Sequence, residues 1–130
     1  MIYLDSSALV KLVFEEAESG ALVQWLDDRR EMPKVTSQLA TIELVRTCRR
    51  RDEEAVNDAR LLLAGVDLLP VTGDVIEQAA AVGPAELRSL DAIHLASALL
   101  IRDDVTTLVA YDTRLQTAAI AAGLDVAAPG

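Results

Sequence analysis

MIYLDSSALVKLV, residues 1–13, decides how the rest of the chain is read. Met1 to Leu4 form a short apolar run with strand character. Asp5 ends the run, and helix-like sequence follows from Ser6, a plausible cap. The same order returns in TTLVAYDTRL, residues 106–115, where the clearest strand of the chain closes on Asp112 and Thr113 leads into a helix. Two further acids border apolar runs: Glu43 in ATIELVR and Asp91 in SLDAIHLA. Carboxylates about to be half buried are expensive unless they are paired or hold a metal.

Outward from these corners, helical spacing runs from about Ser19 to Arg30 through Leu22, Val23, Trp25 and Leu26, and Pro33 ends it. Val35 begins a brief strand. Thr36-Ser37 is expected to open a helix that continues through Glu43 to Arg49-Arg50-Arg51. Asp52-Glu53-Glu54 starts the next helix, and Gly65 stops it. VDLLPV is a strand candidate, followed by a helix from Val75 to Val82 and a break at Gly83-Pro84. Ser89 is expected to cap a helix from Asp91 to Ile101. A helix from Leu115 to Ala122 ends at Gly123, and a short strand at Asp125-Val126 closes an edge. Strands alternating with helices predict an α/β fold, a parallel sheet covered on both faces. Ligands of such sheets gather beyond the carboxyl ends of the strands, where Asp5 and Asp112 should lie.

Composition narrows the alternatives. A chain of 130 residues without repeat or linker is read as one domain, residues 1–130. It is 52% apolar with only 3% aromatic residues, so the core must be built from Ala, Leu, Val and Ile. No apolar run approaches the ~18 residues of a membrane helix, and a lone cysteine, Cys48, cannot form an internal disulfide. A cytoplasmic protein with no membrane association is expected. The net charge of −9 argues against binding nucleic acid by charge alone, yet leaves room for a nuclease whose metal offsets its carboxylates.

Each acid also has a plainer role. Asp5 and Asp112 can cap the helices after them, Asp91 suits a first helical turn, and Glu43 can pair with Arg46. As a set they suit a hard cation such as Mg²⁺ or Mn²⁺, with Ser6 and Thr113 as neighbouring hydroxyls. Zinc would want more than the single His94 and single Cys48. His94, three residues after Asp91, either approaches the site or packs between helices, and Cys48 is expected to be inert packing. Gly-rich phosphate loops, GxSxG and HExxH are absent, leaving metal-assisted hydrolysis. Lys11, Arg46, Arg49, Arg50, Arg51 and Arg114 are candidates for RNA phosphate contacts or for solvated helix ends.

MIYLDSSALVKL, the TSxLxxxELxR pattern from Thr36 to Arg46, RSLDAIHLASAL and VAYDTRLQTAAIAAGL together resemble a PIN-domain ribonuclease. More narrowly they resemble the bacterial VapC toxins of type II toxin–antitoxin systems. The resemblance spans nearly the whole chain and implies a three-layer PIN sandwich with a mostly parallel central sheet. It implies Mg²⁺-dependent endoribonuclease activity (Mn²⁺ as an alternative ion) on an RNA substrate, with Asp5, Glu43, Asp91 and Asp112 as the acidic quartet. Asp5 and Asp91 would be the main metal ligands, with Glu43 and Asp112 completing the site. A VapB-like antitoxin that covers the cleft and a homodimer are implied as partners. The competing reading is a catalytically silent PIN-like domain that keeps the pocket only to bind a partner.

Overall fold

A computed structural model describes residues 1–130. The first strand, β1 (Ile2–Leu4), is buried throughout and lies at the middle of the sheet. It is followed by α1 (Ser6–Val13), α2 (Ser19–Asp27), β2 (Lys34–Ser37), α3 (Leu39–Arg51), a 3₁₀ turn over Glu53–Ala55 and α4 (Val56–Ala64). The chain continues through β3 (Asp67–Leu69), α5 (Gly73–Ala81), α6 (Ser89–Leu100), β4 (Thr107–Val109), α7 (Thr113–Ala121) and β5 (Val126–Ala127). The five strands pair in parallel in the order β3-β2-β1-β4-β5.

Two apolar layers sandwich this sheet, and strand alternation assigns each side chain to one of them. Ile2 and Leu4 join Val109 in the layer under α1 to α4, with Leu9, Leu22, Leu44 and Leu63. Tyr3 and Leu108 face the other layer, where Leu95, Leu99 and Leu115 come from α6 and α7. With so few aromatic residues, density comes from small side chains: Ala92, Ala96 and Ala98 let α6 lie close to its neighbours. No helix is long and apolar enough to cross a membrane.

The strand order contains a reversal. The connections β1 to β2 and β2 to β3 step outward in one direction, whereas α5 and α6 carry the chain back across to β4 on the other side of β1. The ends of β1 and β4 therefore flank the point where open parallel sheets leave a crevice.

Three local expectations are corrected. Thr36 and Ser37 belong to β2, where both are buried and Thr36 and Ser37 pair with Leu68 and Leu69, so α3 starts only at Leu39. Asp5, not Ser6, caps α1. Ser89 is the first residue of α6 rather than its cap, a place held by Arg88 without a side-chain bond. Gly123 ends α7 as expected: its φ of +93° turns the chain so that the Leu124 amide donates to the Ala119 carbonyl.

Candidate active site

Asp5 leaves β1 and is at once the cap of α1. Its Oδ1 accepts from the Ala8 amide at 3.0 Å and from the Ser7 hydroxyl at 2.6 Å. The Ser7 hydroxyl in turn accepts from the Tyr111 amide at 3.0 Å, and the Asp5 amide donates to the Val109 carbonyl at 3.1 Å. The β1–α1 corner is thus stitched to the β4–α7 corner. There Asp112 repeats the device, its Oδ1 accepting from the amides of Arg114 and Leu115 at 2.9 and 3.1 Å. The capping role holds for both aspartates, and it uses one oxygen of each. Neither Oδ2 makes a hydrogen bond to protein.

Asp91 stands in the first turn of α6, half-buried and with no side-chain hydrogen bond. Glu43 reaches the same place from the middle of α3. It does not pair with Arg46; its Oε1 meets His94 Nε2 at 2.7 Å and its Oε2 accepts from the Ser6 hydroxyl at 3.3 Å. Asp5, Glu43, Asp91 and Asp112 all line one open cleft of about 570 Å³, along with Ser6 and Ser7.

The electrostatics record the crowding. Burial, against the pull of the Ser7 and Ala8 hydrogen bonds, pushes the Asp5 carboxyl up to about 6. Burial also raises Asp91, and the like charges of Asp112 and Glu43 add to it. The four acids do not close into a cage of ligands. Oxygen donors with free lone pairs, loosely grouped and repelling one another, suit a hard divalent cation that retains much of its water. They offer zinc neither sulfur nor a free imidazole.

The basic residues divide. Arg46 and Arg50, one turn apart on α3, line the cleft, as does Arg88 ahead of α6. Arg88 carried no signal in its own neighbourhood, because only the fold brings the start of α6 beside α3. Lys11 is drawn away to Glu16 and Glu18, at 3.2 and 2.8 Å, and lies over the Tyr111 ring. Arg51 binds Glu16 and covers Phe14, and Arg49 lies 4.0 Å from Glu53. Arg114 and Thr113 line a separate hollow with Pro84 and Thr117. Cys48 is buried in the core, and burial raises its thiol pKa, as expected of inert packing. Ser7 was legible only as a residue beside Asp5; its bond to Tyr111, 104 residues away, depends on the fold.

Comparison with known proteins agrees with this architecture. The PIN domain family model matches residues 2–121. Ribonuclease VapC35 of Mycobacterium tuberculosis is 46% identical over 132 residues, covering 100% of this chain and 98% of that protein. Ribonuclease VapC47 of the same species is 44% identical over 133 residues, with the same coverage. Among solved structures, a toxin–antitoxin complex from Klebsiella pneumoniae contains a chain that superposes with a TM-score of 0.74 at 21% identity, covering 100% of this chain and 98% of that one. At that identity the likeness is one of fold.

Proposed function

Because the chain belongs to the PIN-domain family, and within it to the VapC ribonucleases, we propose that it is the ribonuclease toxin of a VapBC-like pair, hydrolysing RNA phosphodiester bonds at the acidic cleft. The observation that carries this reading is the meeting of Asp5, Glu43, Asp91 and Asp112 in one cleft at the reversal point of the sheet, with three arginines beside them.

Asp5 and Asp91 hold Mg²⁺, or Mn²⁺, through carboxylate oxygens that no protein group engages. When bound, the cation supplies Lewis-acid polarisation of the scissile phosphate and offsets charge on the departing oxygen. Glu43 and Asp112 complete the negative rim and orient water by hydrogen bonding. Arg46, Arg50 and Arg88 contact backbone phosphates, which sets the register of the RNA without reading its sequence. Purified protein should cut RNA with Mg²⁺ or Mn²⁺, lose activity to EDTA, regain it on readdition and respond poorly to Zn²⁺. Folded protein that leaves RNA intact in both Mg²⁺ and Mn²⁺ would return the competing partner-binding reading to first place.

A second surface supports the antitoxin half of the proposal. Leu9 and Leu22 of the first two helices are core residues. Leu12, Val23 and Leu26 instead line an apolar groove of about 480 Å³ with Leu61 and Leu62 of α4. Val23 and Leu61 are 54% and 66% exposed, a contiguous patch that suits an amphipathic segment. The −9 charge of the chain favours a basic antitoxin segment there. Co-expression with the adjacent small gene should give a stable complex without RNA cleavage, and Val23→Asp with Leu61→Asp should release it. Family membership also supports a homodimer for the free chain, which light scattering would test.

A further inference from the structure

Beneath the cleft a polar chain runs into the core. Tyr3, in the middle of the central strand and fully buried, places its phenol oxygen 2.8 Å from His94 Nδ1. The two rings meet edge to face, with centroids 5.8 Å apart and planes at 83°. The other ring nitrogen, Nε2, is 2.7 Å from Glu43 Oε1. His94 is 0% exposed, so water does not compete for either nitrogen. Of the three links only Glu43 touches the cleft.

Proton counting gives this chain a direction. A tyrosine phenol, with an ordinary pKa of about 10, keeps its proton at neutral pH. That proton needs an acceptor. The Thr36 and Ser97 hydroxyls lie near the phenol. Neither makes a well-aligned hydrogen bond. The acceptor is therefore His94 Nδ1, and a neutral imidazole that accepts at Nδ1 must carry its proton at Nε2. That N–H donates to Glu43 Oε1. One oxygen of Glu43 is then held by the core, and Oε2, beside the Ser6 hydroxyl, is the one presented to the cleft.

We propose that His94 is a positioning residue for the reaction: with its tautomer set by Tyr3, it clamps Glu43 through Oε1 and so presents Oε2 to the cleft. The proposal rests on the ribonuclease reading for its kinetic consequence but not for its structural one. An unclamped Glu43 would sample the rotamers open to a long side chain beside a wide cleft. Supporting groups of this kind commonly alter activity by about 10–100-fold.

The chain contains one histidine, so the imidazole ¹⁵N signals of labelled protein need no assignment. The wild type should show widely separated signals, with Nε2 protonated and Nδ1 free, and Tyr3→Phe should move them toward an averaged position. Averaged or Nδ1-protonated signals in the wild type overturn the proposal, as does an unchanged spectrum in Tyr3→Phe. In RNA cleavage, folded His94→Asn should lower kcat by about 10–100-fold with KM changed less than about twofold. His94→Gln, whose amide nitrogen reaches the place of Nε2, should recover most of that loss. Wild-type kcat in folded His94→Asn also overturns it. If the wild type cuts no RNA at all, the functional reading fails, while the ¹⁵N signals still decide the role of His94.

Discussion

The β1–α1 and β4–α7 corners use the same local device, an aspartate that leaves a buried strand and caps the next helix, yet only one of the two acids is buried. Asp5 is 2% exposed, whereas Asp112 lies in the open. Strand register supplies the reason. Leu4 is level with Val109, so Asp5 is level with Ala110 and Asp112 stands two residues further out from the sheet. The Ser7 hydroxyl then binds Tyr111 in that extra length, closing the β4–α7 loop over Asp5. Identical grammar thus gives unequal environments. The acid nearer the sheet carries the desolvation cost.

The comparison breaks most sharply in activity. Asp5→Asn and Asp91→Asn should each cut RNA cleavage on the order of 10²–10³-fold in folded protein, as expected when a charge-stabilising group is removed from a polar site. Asp112→Asn should cost only about 10–100-fold. Equal losses at Asp5 and Asp112 in a gel-based cleavage assay would show that burial does not rank these acids.

Stability sharpens it next. The raised Asp5 carboxyl means that the folded state binds more protons than the unfolded one between about pH 4 and 6. Metal-free protein should therefore lose stability as pH rises through that window, on the order of 2–3 kcal/mol from this group at pH 7.5. Asp5→Asn should regain much of it at pH 7.5 and nothing at pH 3.5, and Mg²⁺ should stabilise the wild type more than the variant. Denaturant titrations at the two pH values, with and without metal, read all of these effects.

The stitch and the cap give the smaller effects. Ser7→Ala removes two hydrogen bonds and strands the Tyr111 amide, which should cost about 1–3 kcal/mol. Asp112→Ala should cost about 1 kcal/mol as a lost cap, and Asp112→Asn a few tenths at most. A Ser7→Ala protein as stable as the wild type in thermal unfolding would mean that the two corners are not mechanically joined.

Much of this was legible beforehand, because the decisive signals are local. The strand-acid-hydroxyl-helix order around Asp5 and Asp112 marks two sheet ends, and SLDAIHLA marks a helix that is apolar almost all round. Thr36 and Ser37 misled because small hydroxyl residues serve equally as helix starters and strand ends; only pairing with Leu68 and Leu69 decides between them. At Asp5-Ser6 two adjacent residues can both cap, and backbone geometry chooses the first. The Tyr3–His94–Glu43 chain joins positions as many as 91 residues apart, and sequence spacing alone gives no way to pair them. Lys11 and Arg114 stayed open between two roles for the same reason: proximity in sequence to an acid does not say which way a long side chain goes.

Asp5, Asp91 and Asp112 each sit at the start of a helix, so α1, α6 and α7 all bring their amino ends to the rim of one cleft. Aligned peptide dipoles place roughly half a positive charge at each such end, about one and a half over the three. The formal tally of four carboxylates therefore overstates how negative the cleft is to an approaching phosphate. An acidic chain can in this way soften the repulsion at its mouth.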